Sequence, residues 1–346
     1  MINPIQYLRA VAALMVVWAH AQTQVPGTSD LIRLPDFGLS GVDIFFVISG
    51  FIMLVTTTEK PLTPRQFIEL RIVRVVPLYW IMTLLMIGFA LVAPGLFKTL
   101  LITPVTVVKS LLFIPYDSLS FPGHPWPVLV PGWTLNYEMF FYVLFALALA
   151  ISTRSRLWFL VVTMVGLVVA GKVIGPSQRP FVWVYTSPLL LEFAAGAIIG
   201  HLWLRGVLRV PILISSAAIV AGIVLLVARG QPPFVEYSQI IGATLLVGGC
   251  LHPAICALKS PLLRLLGDAS YSIYLTHLFT LGGLRVVWVR LVPIVSLTGA
   301  IAFLATALIV SAAAGYMVYR WLEKPLTARL RLIAGGGFKA TSAAIP

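Results

Sequence analysis

Residues 5–24 read IQYLRAVAALMVVWAHAQTQ. An apolar run of about 20 residues is what an α-helix needs to cross a hydrocarbon core roughly 30 Å thick. Lipid offers no partner to an open backbone, so a stretch of this kind must be helix. Two side chains interrupt it, Arg9 and His20. Ionisable groups at membrane depth are costly and mark function. The two are separated by about three turns, so they lie on nearly one helix face, roughly 16 Å apart along the axis. One helix therefore carries a cation at one depth and a titratable base at another.

The rest of the chain repeats this character. Its 346 residues are 60% hydrophobic and only 10% charged, against about 25% charged in soluble domains. Composition thus excludes a large soluble core and predicts a polytopic membrane protein. The net charge of +13 would raise nucleic acid as a partner of a soluble protein. Here it is read as topological, because Lys and Arg gather in cytoplasmic loops, and no nucleic acid is expected. Cys250 and Cys256 share one apolar run and form neither a disulfide framework nor a zinc pattern. Residues 1–4 are too short for the basic head of a cleavable leader.

About ten spans are expected, near residues 5–24, 39–57, 75–94, 133–151, 156–174, 184–203, 211–228, 237–256, 271–291 and 297–320. With the N-terminus inside, fifteen basic residues fall on the inner side and eight on the outer, so both termini are placed in the cytoplasm. The expected fold is an all-α bundle of about ten transmembrane helices. One domain covers residues 1–332, and 333–346, with Gly335-Gly336-Gly337, is read as a disordered cytoplasmic tail. Residues 95–132 form the longest outer connection. Its first half suits an interfacial helix. Its second half, through Pro115, Pro122, Pro125, Pro127 and Pro131, cannot be regular helix. A loop of this length is more often functional than filler.

His20 lies near the outer end of the first span. Asp43, in Gly41-Val42-Asp43-Ile44-Phe45-Phe46, lies near the outer end of the second, and Glu138, in Trp133-Thr134-Leu135-Asn136-Tyr137-Glu138, near that of the fourth. A carboxylate beside an imidazole fixes its tautomer and raises its basicity, which suits a base that deprotonates a hydroxyl. Each residue also has a plainer use: His20 facing headgroups, Asp43 capping its helix, Glu138 in a packing hydrogen bond. On the inner side Arg71 and Arg74, three apart, can face one way on a helix. With the deeper Arg9 they could hold phosphates through bidentate guanidinium contacts, or Arg71 and Arg74 could simply anchor the inner end. Ser270, Tyr274 and His277 share a face of the ninth span, as the lining of an inner cavity or as interhelical hydrogen bonds. Glu192 is an intramembrane acid of open role, and Gly196 and Gly200 beyond it suggest close helix packing. Glu323 reads as interfacial structure. No metal-ligand spacing, phosphate loop or nucleophile elbow is present.

These elements in this order resemble the acyltransferase 3 family of membrane proteins. The matching parts are Arg9 and His20 with ten residues between them, Gly41 to Phe51, Arg71-Ile72-Val73-Arg74, Trp133 to Glu138, and Tyr271-Ser272-Ile273-Tyr274-Leu275-Thr276-His277. The resemblance covers about residues 3–330, and the opening Ile5 to Ala10 looks most like the exopolysaccharide-modifying branch. It implies transfer of an acyl group, usually acetyl, from cytoplasmic acyl-CoA to a carbohydrate hydroxyl at or beyond the outer face, and it implies that Arg9 and His20 are essential. Some relatives carry a fused periplasmic esterase-like domain, which this chain is expected to lack.

On this reading His20, Asp43 and Glu138 are catalytic. Arg9, Arg71, Arg74, Tyr274 and His277 serve the acyl-CoA donor, and Trp126 and Trp133 the glycan. No cofactor is held permanently. The partners are acyl-CoA, a carbohydrate free or lipid-linked, and the bilayer of the bacterial inner membrane. The rival readings are a transporter or flippase, disfavoured by the lack of an internal repeat, and a non-catalytic subunit of an export complex.

Overall fold

A computed structural model describes residues 2–24, 37–93, 95, 100–175, 177, 179–228, 235–291 and 296–334. Among these residues every regular element is a helix. Seven helices are long and apolar enough to cross a membrane: Phe37–Glu59, Pro64–Val92, Val130–Leu149, Thr153–Ile174, Pro180–Leu204, Ser270–Leu291 and Leu297–Ile333. Two further apolar helices, Ile212–Ala228 and Tyr237–Cys250, are shorter. The first helix, α1 (Asn3–Gln22), has 20 residues and carries the Arg9 and His20 interruptions. The protein is a multi-pass helical membrane protein. The proposed disordered tail lies, from residue 335 on, outside the described residues, as do Arg33, Lys98, Arg229 and Lys339 of the charge count.

The described chain divides into two compact units. One comprises the chain up to Val55 together with Ala195–Lys324; the other comprises Thr56–Ala194 and the helix that continues from Pro325.

The first unit packs on small residues. Ala13, Val17 and Ala21 of α1 recur every fourth residue and meet Ala269, Ile273, Ala300, Phe303 and Ala307 in one buried cluster. Without a hydrophobic drive between helices in lipid, close backbone approach is what holds them. Glycines make that approach. Gly41, near the start of α2 (Ser40–Glu59), lies against the Ala12 carbonyl of α1. Gly196 lies against the Val47 carbonyl, where a Cβ would overlap it, and Gly315 lies against Ile273. Close packing was the sequence reading of Gly196.

In the second unit, helix α3 (Pro64–Val92) begins well before residue 75, where the sequence pattern had started its span. Its N-terminus is set by a capping box: Thr63 Oγ1 accepts from Gln66 N at 3.3 Å and Gln66 Oε1 from Thr63 N at 3.0 Å, with Pro64 at the first helical position. Pro77 lies inside the helix without ending it, as membrane helices tolerate. Arg71 is therefore two turns into a helix, and buried. Among the described residues the connection that follows α3 holds the short helix α4 (Pro104–Leu111), and its proline-rich second half is irregular up to a single turn at Val130–Gly132. Beyond it lie α5 (Trp133–Leu149) and α6 (Thr153–Ile174), and along the chain follow α7 (Pro180–Tyr185), α8 (Leu190–Leu204), α9 (Ile212–Ala228), α10 (Val235–Cys250) and α11 (Pro253–Cys256). Phe67, Phe141, Phe145 and Phe193 form the aromatic centre of its core, with Phe141 and Phe193 stacked at 4.4 Å and Phe67 and Phe145 at 5.1 Å.

Gly196→Ala is expected to lower the melting temperature of the detergent-solubilised protein or abolish its monodisperse peak, because the new methyl meets backbone. Gly166→Ala, where nothing lies within 4 Å, should leave it unchanged or raise it, since alanine favours helix by about 1 kcal/mol over glycine.

Candidate active site

Unit one holds the histidines. His20 is one turn along α1 from Val16, and its Nδ1 lies 2.9 Å from the Val16 carbonyl. A carbonyl only accepts, so Nδ1 carries the hydrogen. In the neutral ring the lone pair is then on Nε2, the tautomer a general base at Nε2 requires. Helix α13 (Ser270–Leu291) repeats the device: His277 Nδ1 donates to the Tyr274 carbonyl at 2.5 Å. The two imidazoles meet edge to face, their centroids 4.9 Å apart. His277 is fully buried, and its Nε2 has no hydrogen-bond partner among the described residues. Tyr274 lies beside it at 5.9 Å and also meets Phe45 of α2 at 6.1 Å. The Asp43-Ile44-Phe45 turn is thereby docked onto the His277 helix.

Arg9 is buried on α1, and its Nη1 donates to the equally buried Gln6 Oε1 at 3.2 Å. Asp43 is buried in the first turn of α2. Gly38 abuts Met15 and Ala19, and Gly41 abuts Ala12 and Val16, so α2 descends alongside α1 in antiparallel register. That register sets Asp43 at a depth between Arg9 and His20. Ser272, on the same α13, donates to Glu323 Oε2 at 2.5 Å. Glu323 is buried there, an internal hydrogen-bond acceptor and not the interfacial residue its sequence position suggested.

Unit two gathers the arginines. The buried Arg71 guanidinium stands over the Phe67 ring at 5.4 Å and the Tyr142 ring at 5.9 Å. Such cation–π contacts strengthen when water is excluded. Tyr142 Oη donates to Glu138 Oε1 one turn earlier on α5. Glu138 interacts electrostatically with Arg71, Arg71 also with Arg74 and Arg331, and Arg331 with Arg74. The sequence reading placed Arg71 on the inner side and Glu138 in the outer part of the bilayer. The structure makes them neighbours, because α3 extends past Arg71 without a break. Arg331 was missed as a member of this cluster; its place in a basic tail resembles plain anchoring.

The outer connection is tied down. Ser110 Oγ is shared by Tyr116 Oη at 2.9 Å and Val128 N at 3.0 Å, and Tyr79 of α3 donates to the Ser110 carbonyl at 3.2 Å. Burial pushes the Tyr116 phenol up, so it remains neutral. Trp126 stacks on His124 at 4.4 Å and meets Phe121 edge-on at 5.1 Å. Trp133, at the start of α5, packs on Tyr137 at 5.8 Å. Trp126 thus belongs to an aromatic cluster whose members Phe121 and His124 are exposed. His124 had not been singled out.

A helical membrane protein with a tautomer-fixed histidine, a second imidazole against it and buried arginines has the parts of a membrane group-transfer enzyme. The chain belongs to the acyltransferase 3 family, whose profile, an acyltransferase domain, matches residues 2–320. It is 42% identical over 302 residues to the exopolysaccharide production protein ExoZ of Rhizobium meliloti (strain 1021), covering 85% of this chain and 91% of that one. It is 27% identical over 307 residues to the acyltransferase MdmB of Streptomyces mycarofaciens, covering 78% and 76%. No solved structure matches it. The protein is an enzyme that transfers acyl groups.

Tyr142→Phe keeps the ring beneath Arg71 and removes only the hydroxyl given to Glu138. A hydrogen bond to a charged group contributes about 2 kcal/mol, so the variant should unfold at lower denaturant, and Tyr142→Leu, which also removes the ring, at lower denaturant still. Equal midpoints for wild type and Tyr142→Phe would show that the hydroxyl contributes nothing.

Proposed function

We propose that the enzyme is an O-acyltransferase of the bacterial cytoplasmic membrane. It moves an acyl group, acetyl in the simplest case, from acyl-CoA on the cytoplasmic side to a hydroxyl of an exopolysaccharide. The name of the relative from Rhizobium meliloti supports a polysaccharide acceptor. The long helices, the two shorter apolar helices and α1 together supply ten apolar segments. Ten crossings with both termini cytoplasmic agree with the excess of basic residues in the alternate loops.

The observation that carries this reading is the state of His20. Its Nδ1–H is held by the Val16 carbonyl, so Nε2 has the lone pair a base needs. Nε2 takes the proton of the acceptor hydroxyl as that oxygen bonds to the thioester carbonyl carbon. The tetrahedral intermediate then collapses with cleavage of the C–S bond, and the proton passes to the departing CoA sulfur. His277, edge-on to His20, and the Tyr274 ring beside it hold the His20 ring in place. Asp43 adds a carboxylate along the same helix pair and favours the imidazolium formed in transit. Arg9, Arg71 and Arg74 are assigned to the donor phosphates, with Arg71 fixed by its two rings and Arg74 beside it. Glu138 holds Tyr142 and balances that cluster. Trp126 and Trp133 present ring faces suited to the apolar face of a sugar.

The test is release of CoA thiol from acetyl-CoA by purified protein in lipid, with and without a polysaccharide mixture. Release should require the glycan and fall about 10²–10⁴-fold in His20→Ala with the melting curve unchanged. Full activity in folded His20→Ala would remove His20 as the base. Glycan flux without thiol release would instead favour a transporter.

A further inference from the structure

Outside the histidine and arginine clusters, the first unit carries a cleft of about 440 Å³ where α1, the short helix α12 (Pro261–Asp268) and the end of α14 (Leu297–Val318) converge. This size falls in the range of small-ligand sites. Four cations line it: Lys259, Arg264, Arg320 and Lys324. Asp268 is the one carboxylate on its wall. Among the described residues none of the four is ion-paired. The cleft therefore concentrates positive charge that the protein does not neutralise.

Its walls are built rather than incidental. Tyr7 Oη donates to the Leu258 carbonyl at 2.9 Å and accepts from Ser260 N at 2.7 Å. Asn3 Nδ2 donates to the Leu258 carbonyl at 3.2 Å. Together they clamp the loop that presents Lys259 to the start of α1. On the opposite wall the helix widens into a π-turn at Tyr319–Glu323, a deformation that recurs at functional sites. The wider turn sends Glu323 into the core, where Ser272 donates to it, and leaves Arg320 and Lys324 on the cleft. A carboxylate that would have quenched the cleft is thus turned away from it. The surrounding surface is apolar and exposed at Leu258, Leu262 and Trp321, as expected where helix ends meet the membrane interface.

We propose that this cleft is a phosphate-binding site distinct from the histidine pair. Its ligand carries a phosphate ester, supplied either by the headgroup of an acidic phospholipid or by the nucleotide end of a soluble donor. The exposed leucine and tryptophan rim favours the lipid, whose chains it would contact while the cations hold the headgroup. The assignment does not depend on the reaction proposed above.

The experiment uses the full chain in nanodiscs of phosphatidylcholine. One arm adds phosphatidylglycerol in increasing mole fraction; the other adds 3′,5′-ADP at fixed lipid. Melting temperature is read for wild type, for Arg264→Gln with Lys324→Gln, and for Arg205→Gln with Arg209→Gln, a control pair that does not line the cleft. Phosphatidylglycerol should stabilise wild type and the control pair alike. The cleft pair should need about tenfold more of it, since each basic side chain near a headgroup contributes severalfold to binding. The same pattern with 3′,5′-ADP in place of the lipid would keep the phosphate site and assign it to the nucleotide. If neither ligand stabilises wild type, or if the control pair loses as much as the cleft pair, the proposal fails, because the cations then act only as unspecific anchors. Should the cleft pair not fold, Arg264→Gln and Lys324→Gln singly, each expected to cost a few-fold, replace it.

Discussion

The absence of water from the bilayer core is the constraint from which the rest follows. A backbone there must close its own hydrogen bonds, which leaves helices. The same demand then falls on every polar side chain a helix carries inward. In this protein the nearest answer is the helix's own carbonyls. His20 turns to Val16, His277 to Tyr274, Thr276 to Ser272 at 2.7 Å and Thr280 to His277 at 2.9 Å. For the two histidines this local solution has a chemical result. A carbonyl takes the Nδ1 hydrogen, so basicity is directed to Nε2.

That result bears on how much of the site can be read from the sequence. Arg9 and His20 stand out because charge in an apolar run is costly, and burial of Arg9 agrees with that cost. The partner that sets the tautomer of His20 is a backbone group, which no side-chain pattern reveals. The meeting of His20 with His277 was equally hidden. Both residues were visible in their motifs, but their contact depends on the rotation of α13 about its axis, and that is set by Gly315 against Ile273 and Gly267 against Gln6. Polar residues at i, i+4 and i+7 say that a face is polar, not what it meets.

The start of α3 is hard to read in the sequence for a different reason. The sequence pattern starts the third span near residue 75, although the stronger signal, Thr63-Pro64-Arg65-Gln66, lies upstream. A capping box fixes where a helix begins, whereas a proline within lipid need not end one. Once α3 starts at Pro64, Arg71 lies on a helix, buried in the protein, and needs compensation. Two aromatic rings, a tyrosine hydroxyl and the Glu138 carboxylate supply it within the second unit. Removing one side of such a group leaves buried charge exposed to hydrocarbon, so the cluster stands or falls together.

Glu323 shows how the two kinds of demand combine. A carboxylate between Arg320 and Lys324 would be expected to pair with them at the interface. The π-turn inserts the extra residue that rotates it inward, where the Ser272 hydroxyl satisfies it. The turn stabilises a buried acid at one helix end and, by the same rotation, leaves two cations beside Lys259 and Arg264 in a cleft whose one carboxylate is Asp268. A helix that kept its regular period would have carried Glu323 elsewhere on its circumference, at lower backbone cost. The irregular turn therefore separates two chemistries that the sequence places side by side: an acid that ties α13 to the end of α14, and a basic cleft open to an anion from outside.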